Sequence, residues 1–220
     1  MAPPKAVKTS SCRFIDLENL LCIFRPFSEK KWLHKEKAIL SVILAYSMLQ
    51  IHESPWLTQS WSAKHIQFLE HSSFTPSQLS ARSQLKLRRP YVSTFLSSSS
   101  VCARLVSNQP QNHCLVALGV VLLELYLNRT IHGDDRELIS HQIRYIAIEL
   151  LEESADNLTM TPEYYKAIQF CLVPKPDPHS RRVGFDDVGF REIYYREVIV
   201  QLEEHLRSRF ETTDQIWNEI

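Results

Sequence analysis

Glycine is scarce in this sequence, and its scarcity excludes one large group of functions. The chain of 220 residues has 4 glycines, at positions 119, 133, 184 and 189, and none of them belongs to a closely spaced set. Phosphate-binding loops need such sets, because their backbone N–H groups must come close to phosphate oxygens. The sequence also contains no G-x-S-x-G nucleophile elbow and no H-E-x-x-H zinc motif. Composition and motifs therefore predict a mainly helical domain without a recognisable catalytic signature.

Net charge, paired cysteines and long apolar runs are missing as well. Lys plus Arg and Asp plus Glu each number 25, so no overall field attracts nucleic acid or an anionic membrane. The 5 cysteines are odd in number and widely spaced, which favours buried free thiols over a disulfide framework. The longest apolar runs are shorter than the roughly 20 residues of a membrane span. Because residues 1–11 also lack a signal peptide, we expect a cytoplasmic protein without a membrane span.

Helical periodicity covers most of the chain. The segment 112–130 is apolar on nearly every face, which is typical of a central helix, and Gly119 would allow a neighbour to approach it closely. Asp16, and Thr161 followed by Pro162, are helix start signals. The pattern HIQFLE at 65–70 predicts a short strand or an extended piece. Further helices are predicted over about 17–24, 29–52, 134–153, 162–173 and 188–209.

Two segments lack this periodicity. Residues 1–11 are predicted to be a disordered tail, and residues 71–111 a long Ser-rich loop within a single domain over 12–220. The loop carries a basic cluster that could bind phosphate or nucleic acid. Zero net charge and the absence of interleaved aromatic residues argue against nucleic acid and favour a solvated loop. The residues of this basic cluster are Arg82, Lys86, Arg88 and Arg89.

An enzyme of unrecognised chemistry is a further alternative, and its residues would be His52, Glu53, His65 and Glu124. Glu124 lies inside the apolar segment, where a carboxylate must be hydrogen-bonded, paired or turned outward. A structural role for it is favoured over a catalytic one. A zinc site at His113 and Cys114 would lack any C-x-x-C pair. We therefore expect no metal and no cofactor.

Four segments together resemble the C-terminal lobe of protein kinases. ILSVILAYSMLQIHESPWL resembles the helix that ends in a Leu-His pair before the catalytic loop, and LVALGVVLLELYLNRTI resembles the central helix of the lobe. YYKAIQFCL with DPHSRR resembles the later C-L-x-x-D-P-x-x-R-P segment, and REIYYREVIVQLEEHL the closing helix. The wording LQxHxSPWL, RPYVS and ALGVVLLEL is closer still to a family of fungal domains of unknown function. Members of that family are degenerate kinase-like C-lobes, often found with helical domains of the fungal prion and cell-death type.

The departures from the kinase pattern concern its catalytic residues. Glu53 to Trp56 stand where a kinase has H-R-D, Lys64 to Ile66 stand where the catalytic-loop Asn falls, and no D-F-G follows to hold magnesium. The Asp that opens the central helix aligns with Cys114. No Gly-rich loop and no V-A-I-K lysine precede these segments. The resemblance therefore implies a helical bundle of C-lobe type that is catalytically inactive, as in a pseudokinase.

The expected function is that of a protein-interaction or regulatory module in fungal intracellular signalling. A C-lobe without its N-lobe exposes apolar surface, and such patches mark interaction sites. In the family architecture this surface is expected at the edge formed by Trp56, Trp61, His65 and Phe68. A protein partner is implied, and nucleic acid is not. A remaining alternative is that the chain is a piece of a longer signalling protein.

Overall fold

The computed structural model describes residues 12–23, 32–52, 61–71, 89–92, 113–131, 140–156, 160–174 and 184–210. The strands in these ranges are β1 (Cys12–Asp16), β2 (Ile66–His71) and β3 (Tyr91–Val92). The helices are α1 (Leu17–Ile23), α2 (Trp32–Ile51), α3 (His113–Leu127), α4 (Ser140–Asp156), α5 (Pro162–Leu172), α6 (Val188–Tyr194) and α7 (Val200–Phe210). A 3₁₀ turn (Ala63–His65) precedes β2, and a π-helical turn (Tyr195–Ile199) joins α6 to α7. The described chain is mainly helical, as predicted; the tail at 1–11 lies outside it.

Helix α3 lies at the centre of the bundle and contacts α2, α4 and α5. It is buried continuously from Leu118 to Leu125, because its apolar residues cover nearly the whole helix circumference. The closest neighbour of Gly119 is α5, where an added Cβ would lie 2.9 Å from Cys171 Cβ. The predictions of a central helix and of a close approach at Gly119 are therefore confirmed.

Two buried tyrosines join the helices through hydrogen bonds. The Tyr164 hydroxyl on α5 donates to the Leu122 carbonyl of α3 over 3.0 Å and lies 2.9 Å from Ser41 Oγ on α2. The Tyr194 hydroxyl on α6 donates to the Ala45 carbonyl of α2 over 2.9 Å. Burial raises the pKa of both hydroxyls, so they remain protonated and join four helices, α2, α3, α5 and α6.

The predicted helix starts are confirmed by their hydrogen bonds. Asp16 Oδ1 accepts a hydrogen bond from Asn19 N over 2.7 Å at the start of α1. Thr161 Oγ1 accepts one from Tyr164 N over 3.3 Å at the start of α5, with Pro162 in the first turn. These side chains replace the backbone acceptors that the first turn of a helix lacks.

A small antiparallel sheet with the order β1-β2-β3 flanks the helices. Strand β2 confirms the predicted strand at HIQFLE, and β1 pairs with it along its full length, with Phe14 opposite Leu69. Strand β3 pairs Tyr91 with Gln67, so the prediction of an irregular loop throughout 71–111 is wrong at this point. Strands of two and five residues show no periodicity, and they form here because β2 supplies a backbone partner.

Within the ranges that the structure describes, no helix combines the length and the apolarity needed to cross a bilayer.

Candidate functional site

Strand β2 has two faces of opposite character. Ile66 and Phe68 are both 0% exposed and belong to the hydrophobic core, whereas Gln67 and Leu69 are half-buried. Successive side chains of a strand point to opposite faces, so Gln67 and Leu69 lie on the outer face of the sheet. This alternation decides which residues near β2 can meet a partner.

The structure corrects the prediction that Trp56, Trp61, His65 and Phe68 form an exposed surface. Phe68 is fully buried and Trp61 is 6% exposed, so the expectation that these two side chains would be exposed is wrong. Phe68 shares the inner face with Ile66, and Trp61 comes just before the turn that leads into β2. His65 is half-buried, and Trp56 lies outside the described residues.

His65 has a local structural role in the turn before β2. Its Nδ1 accepts a hydrogen bond from Ser62 N over 3.1 Å and lies 3.2 Å from Ser62 Oγ. Burial, together with the positive charge of Lys64, lowers the pKa of the imidazole. The neutral ring therefore caps the 3₁₀ turn and orients the start of the strand.

The outer face of the sheet carries two exposed aromatic rings. Phe14 on β1 is 55% exposed and Tyr91 on β3 is 49% exposed. Their ring centroids lie 6.2 Å apart with an interplanar angle of 85°, which is a favourable edge-to-face arrangement. Leu69 of β2 lies on the same face, opposite Phe14. The outer face is therefore an apolar patch of Phe14, Leu69 and Tyr91, which we call the aromatic patch.

Charged residues adjoin the strands that carry the aromatic patch. Arg89 is exposed two residues before Tyr91, and Lys64 Nζ lies 3.7 Å from Glu18 Oε2 at the adjoining turn. Sequence reasoning missed Phe14 and Tyr91, because only strand pairing brings these distant residues together.

Most of the predicted basic cluster lies outside the described residues. Arg82, Lys86 and Arg88 belong to that part, and Arg89 is the member with a described position. Whether the four residues converge on a phosphate group therefore stays a prediction.

The three described residues of the enzyme alternative lie at separate places in the fold, each with a local hydrogen-bond partner. His52 Nδ1 lies 2.8 Å from the Leu49 carbonyl at the end of α2, and His65 caps the turn before β2. The buried Glu124 Oε1 accepts a hydrogen bond from Ile131 N over 2.9 Å, beyond the end of α3. Glu53 lies outside the described residues. Glu124 is thus hydrogen-bonded, one of the three outcomes expected for it.

The thiols and the other possible metal ligands form no cluster in the described ranges. Burial raises the pKa of Cys114 on α3 and of Cys171 on α5, so both sulfurs carry protons. No group of three or more His, Cys, Asp or Glu residues that could hold a metal ion occurs in those ranges. Cys22 and Cys114, like Cys171, are free cysteines.

Comparison with known proteins places the chain in one family. A family model described as a domain of unknown function (DUF7580) matches residues 3–209. No curated protein and no solved structure matches the chain. Because the family match spans nearly the whole sequence, including every described element except the last residue of α7, the chain belongs to the DUF7580 family.

Proposed function

We propose that this chain is a kinase-C-lobe-like domain without phosphotransfer activity, and that it acts as a protein-interaction or regulatory module in fungal intracellular signalling. The observation that carries the proposal is the aromatic patch, where Phe14 and Tyr91 are about half exposed beside each other. Large apolar side chains grouped at the surface mark interaction sites, and aromatic residues are enriched in protein interfaces.

The aromatic patch is large enough to anchor a partner. Covering the exposed parts of both rings would remove on the order of 200 Å² of apolar surface from water. At about 25 cal/mol per Å², this burial contributes about 5 kcal/mol before the entropic cost of association. A pair of residues with this contribution would be a typical interface hot spot.

The kinase resemblance supports both parts of the proposal. It implies that the edge formed by Trp56, Trp61, His65 and Phe68 faces an N-lobe. The aromatic patch belongs to the same sheet but lies on its outer face, and we propose that another domain, in the same polypeptide or in a separate one, covers it. The sequence has Glu53 to Trp56 where H-R-D would provide the catalytic base, and no D-F-G to bind magnesium. The proposed module therefore works by binding and not by phosphotransfer.

The test compares the aromatic patch with the core beneath it. A partner is first captured from a fungal lysate with the wild-type domain and then purified, and its affinity is measured by calorimetry. We expect the double substitution Phe14→Ser and Tyr91→Ser to weaken binding about 100-fold, because the apolar anchor is lost. The melting temperature should stay within about 3 °C of the wild-type value, since both side chains are already exposed.

Two control variants make the result specific. Tyr145→Ser removes an exposed aromatic residue of α4 and should leave the affinity unchanged. Phe68→Ala removes a buried ring of the same sheet and should lower stability by about 3 to 5 kcal/mol. Unchanged binding of the double variant, or a loss of stability comparable to that of Phe68→Ala, would overturn the role proposed for the aromatic patch.

Phosphate or nucleic-acid binding by the basic cluster remains the alternative proposal. Its one described member, Arg89, is exposed and precedes Tyr91 of the aromatic patch by two residues. A phosphate-binding role would make affinity fall steeply as the salt concentration rises. Binding dominated by the aromatic patch would change little with salt.

A further inference from the structure

We draw no further inference here: the strongest candidate, the edge of strand β1 that faces away from β2 in the sheet, is an unpartnered edge among the described strands, and nothing in the described residues shows what covers it.

Discussion

Gly119 determines how closely α3 and α5 approach each other. A Cβ at this position would lie 2.9 Å from Cys171 Cβ and 3.0 Å from Leu172 Cδ2. The Leu172 side chain can rotate, but the Cβ of Cys171 moves only with the α5 backbone. The absence of a side chain at residue 119 therefore sets the distance between the central helix and its main neighbour.

Gly119→Ala should lower the free energy of unfolding by about 1 to 3 kcal/mol, because the added methyl group overpacks this contact. The higher helix propensity of Ala, worth about 1 kcal/mol, offsets only part of that loss. Urea denaturation of both proteins would measure the difference. A variant as stable as wild type would mean that α5 shifts away at little cost.

Lys37 is a residue at which charge and burial conflict. It is 9% exposed in α2, and no side chain of the described ranges accepts a hydrogen bond from its ammonium group. Burial lowers the pKa of Lys37 to about 8. The charged form is therefore less stable in the folded protein than in the unfolded chain, where the pKa is about 10.4.

Lys37→Met should stabilise the protein at pH 7 by about 1 to 2 kcal/mol, because it replaces a buried charge by an apolar chain of similar length. Between pH 8 and about 10.4 the unfolded state binds more protons than the folded state. The free energy of unfolding of the wild type therefore rises through this range, and its difference from that of Lys37→Met should become smaller.

Thermal unfolding of wild type and variant across pH 7 to about 10 would measure this gap. Lys166→Met, at an exposed position of α5, is the matched control and should change little. A destabilised Lys37→Met variant would show that the ammonium group has a stabilising partner.

Strand β2 shows how one element separates core from surface. The sequence predicts an interaction surface at the residues around this strand, but the Phe68 side chain points into the core. The exposed aromatic residues lie on the opposite face and come from β1 and β3. A shift of one residue along a strand exchanges its faces, so a prediction that identifies the strand does not identify the accessible side.

Helices α5 and α7 are joined where α5 begins. Thr161 Oγ1 lies 2.7 Å from His205 Nδ1 of α7 and also accepts the Tyr164 N–H bond that caps α5. Burial and the positive charge of Arg209 lower the pKa of His205 to about 4. The negative charge of Glu163 acts in the opposite direction but is the smaller effect. At neutral pH the imidazole is therefore uncharged, and its Nδ1 shares a hydrogen bond with the Thr161 hydroxyl.

This link predicts a pH dependence of stability. His205 has a lower pKa in the folded state than the value of about 6.5 expected when unfolded, so the unfolded chain binds more protons between these values. The contribution of uncharged His205 to the free energy of unfolding is complete above about pH 6.5. It decreases as the pH falls toward 4, by at most about 1 kcal/mol per pH unit, because the ring is partly exposed.

The matched variant is His205→Asn, whose side-chain amide can form a hydrogen bond with Thr161 but does not titrate. It should show a shallower loss of stability than wild type in denaturant titrations between pH 7 and about 4.5. Parallel curves for the two proteins would contradict the assignment of this dependence to His205.

At the scale of the whole molecule, the structure is a helical bundle around α3 with a small sheet at one side. The proposed kinase-C-lobe-like domain would have no nucleotide site, because the residues that hold magnesium and the catalytic base in kinases are replaced in the sequence. The proposed function therefore predicts that the domain does not respond to ATP.

Addition of magnesium with ATP or ADP should leave the melting temperature unchanged. A ligand at a hundredfold its dissociation constant would stabilise the fold by about 2.7 kcal/mol, which corresponds to a shift of about 5 to 10 °C for a domain of this size. A thermal-shift titration measures this directly, with magnesium alone as the control. A shift that requires both magnesium and nucleotide would mean that other residues have formed a nucleotide site.

The sequence by itself determined the features that depend on local patterns. The helical periods, the caps at Asp16 and Thr161, the short strand at HIQFLE and the close approach at Gly119 were all predictable. Each follows from interactions within one turn or from the side-chain pattern of one element.

Only the tertiary structure decided the features that depend on pairing. Strands β1 and β3 have too few residues for a periodic signal, and they form because β2 offers hydrogen-bonding groups. Their pairing brings Phe14 and Tyr91 together from distant parts of the chain. The aromatic patch arises in this way, since exposure and proximity are properties of the folded chain and not of any single segment.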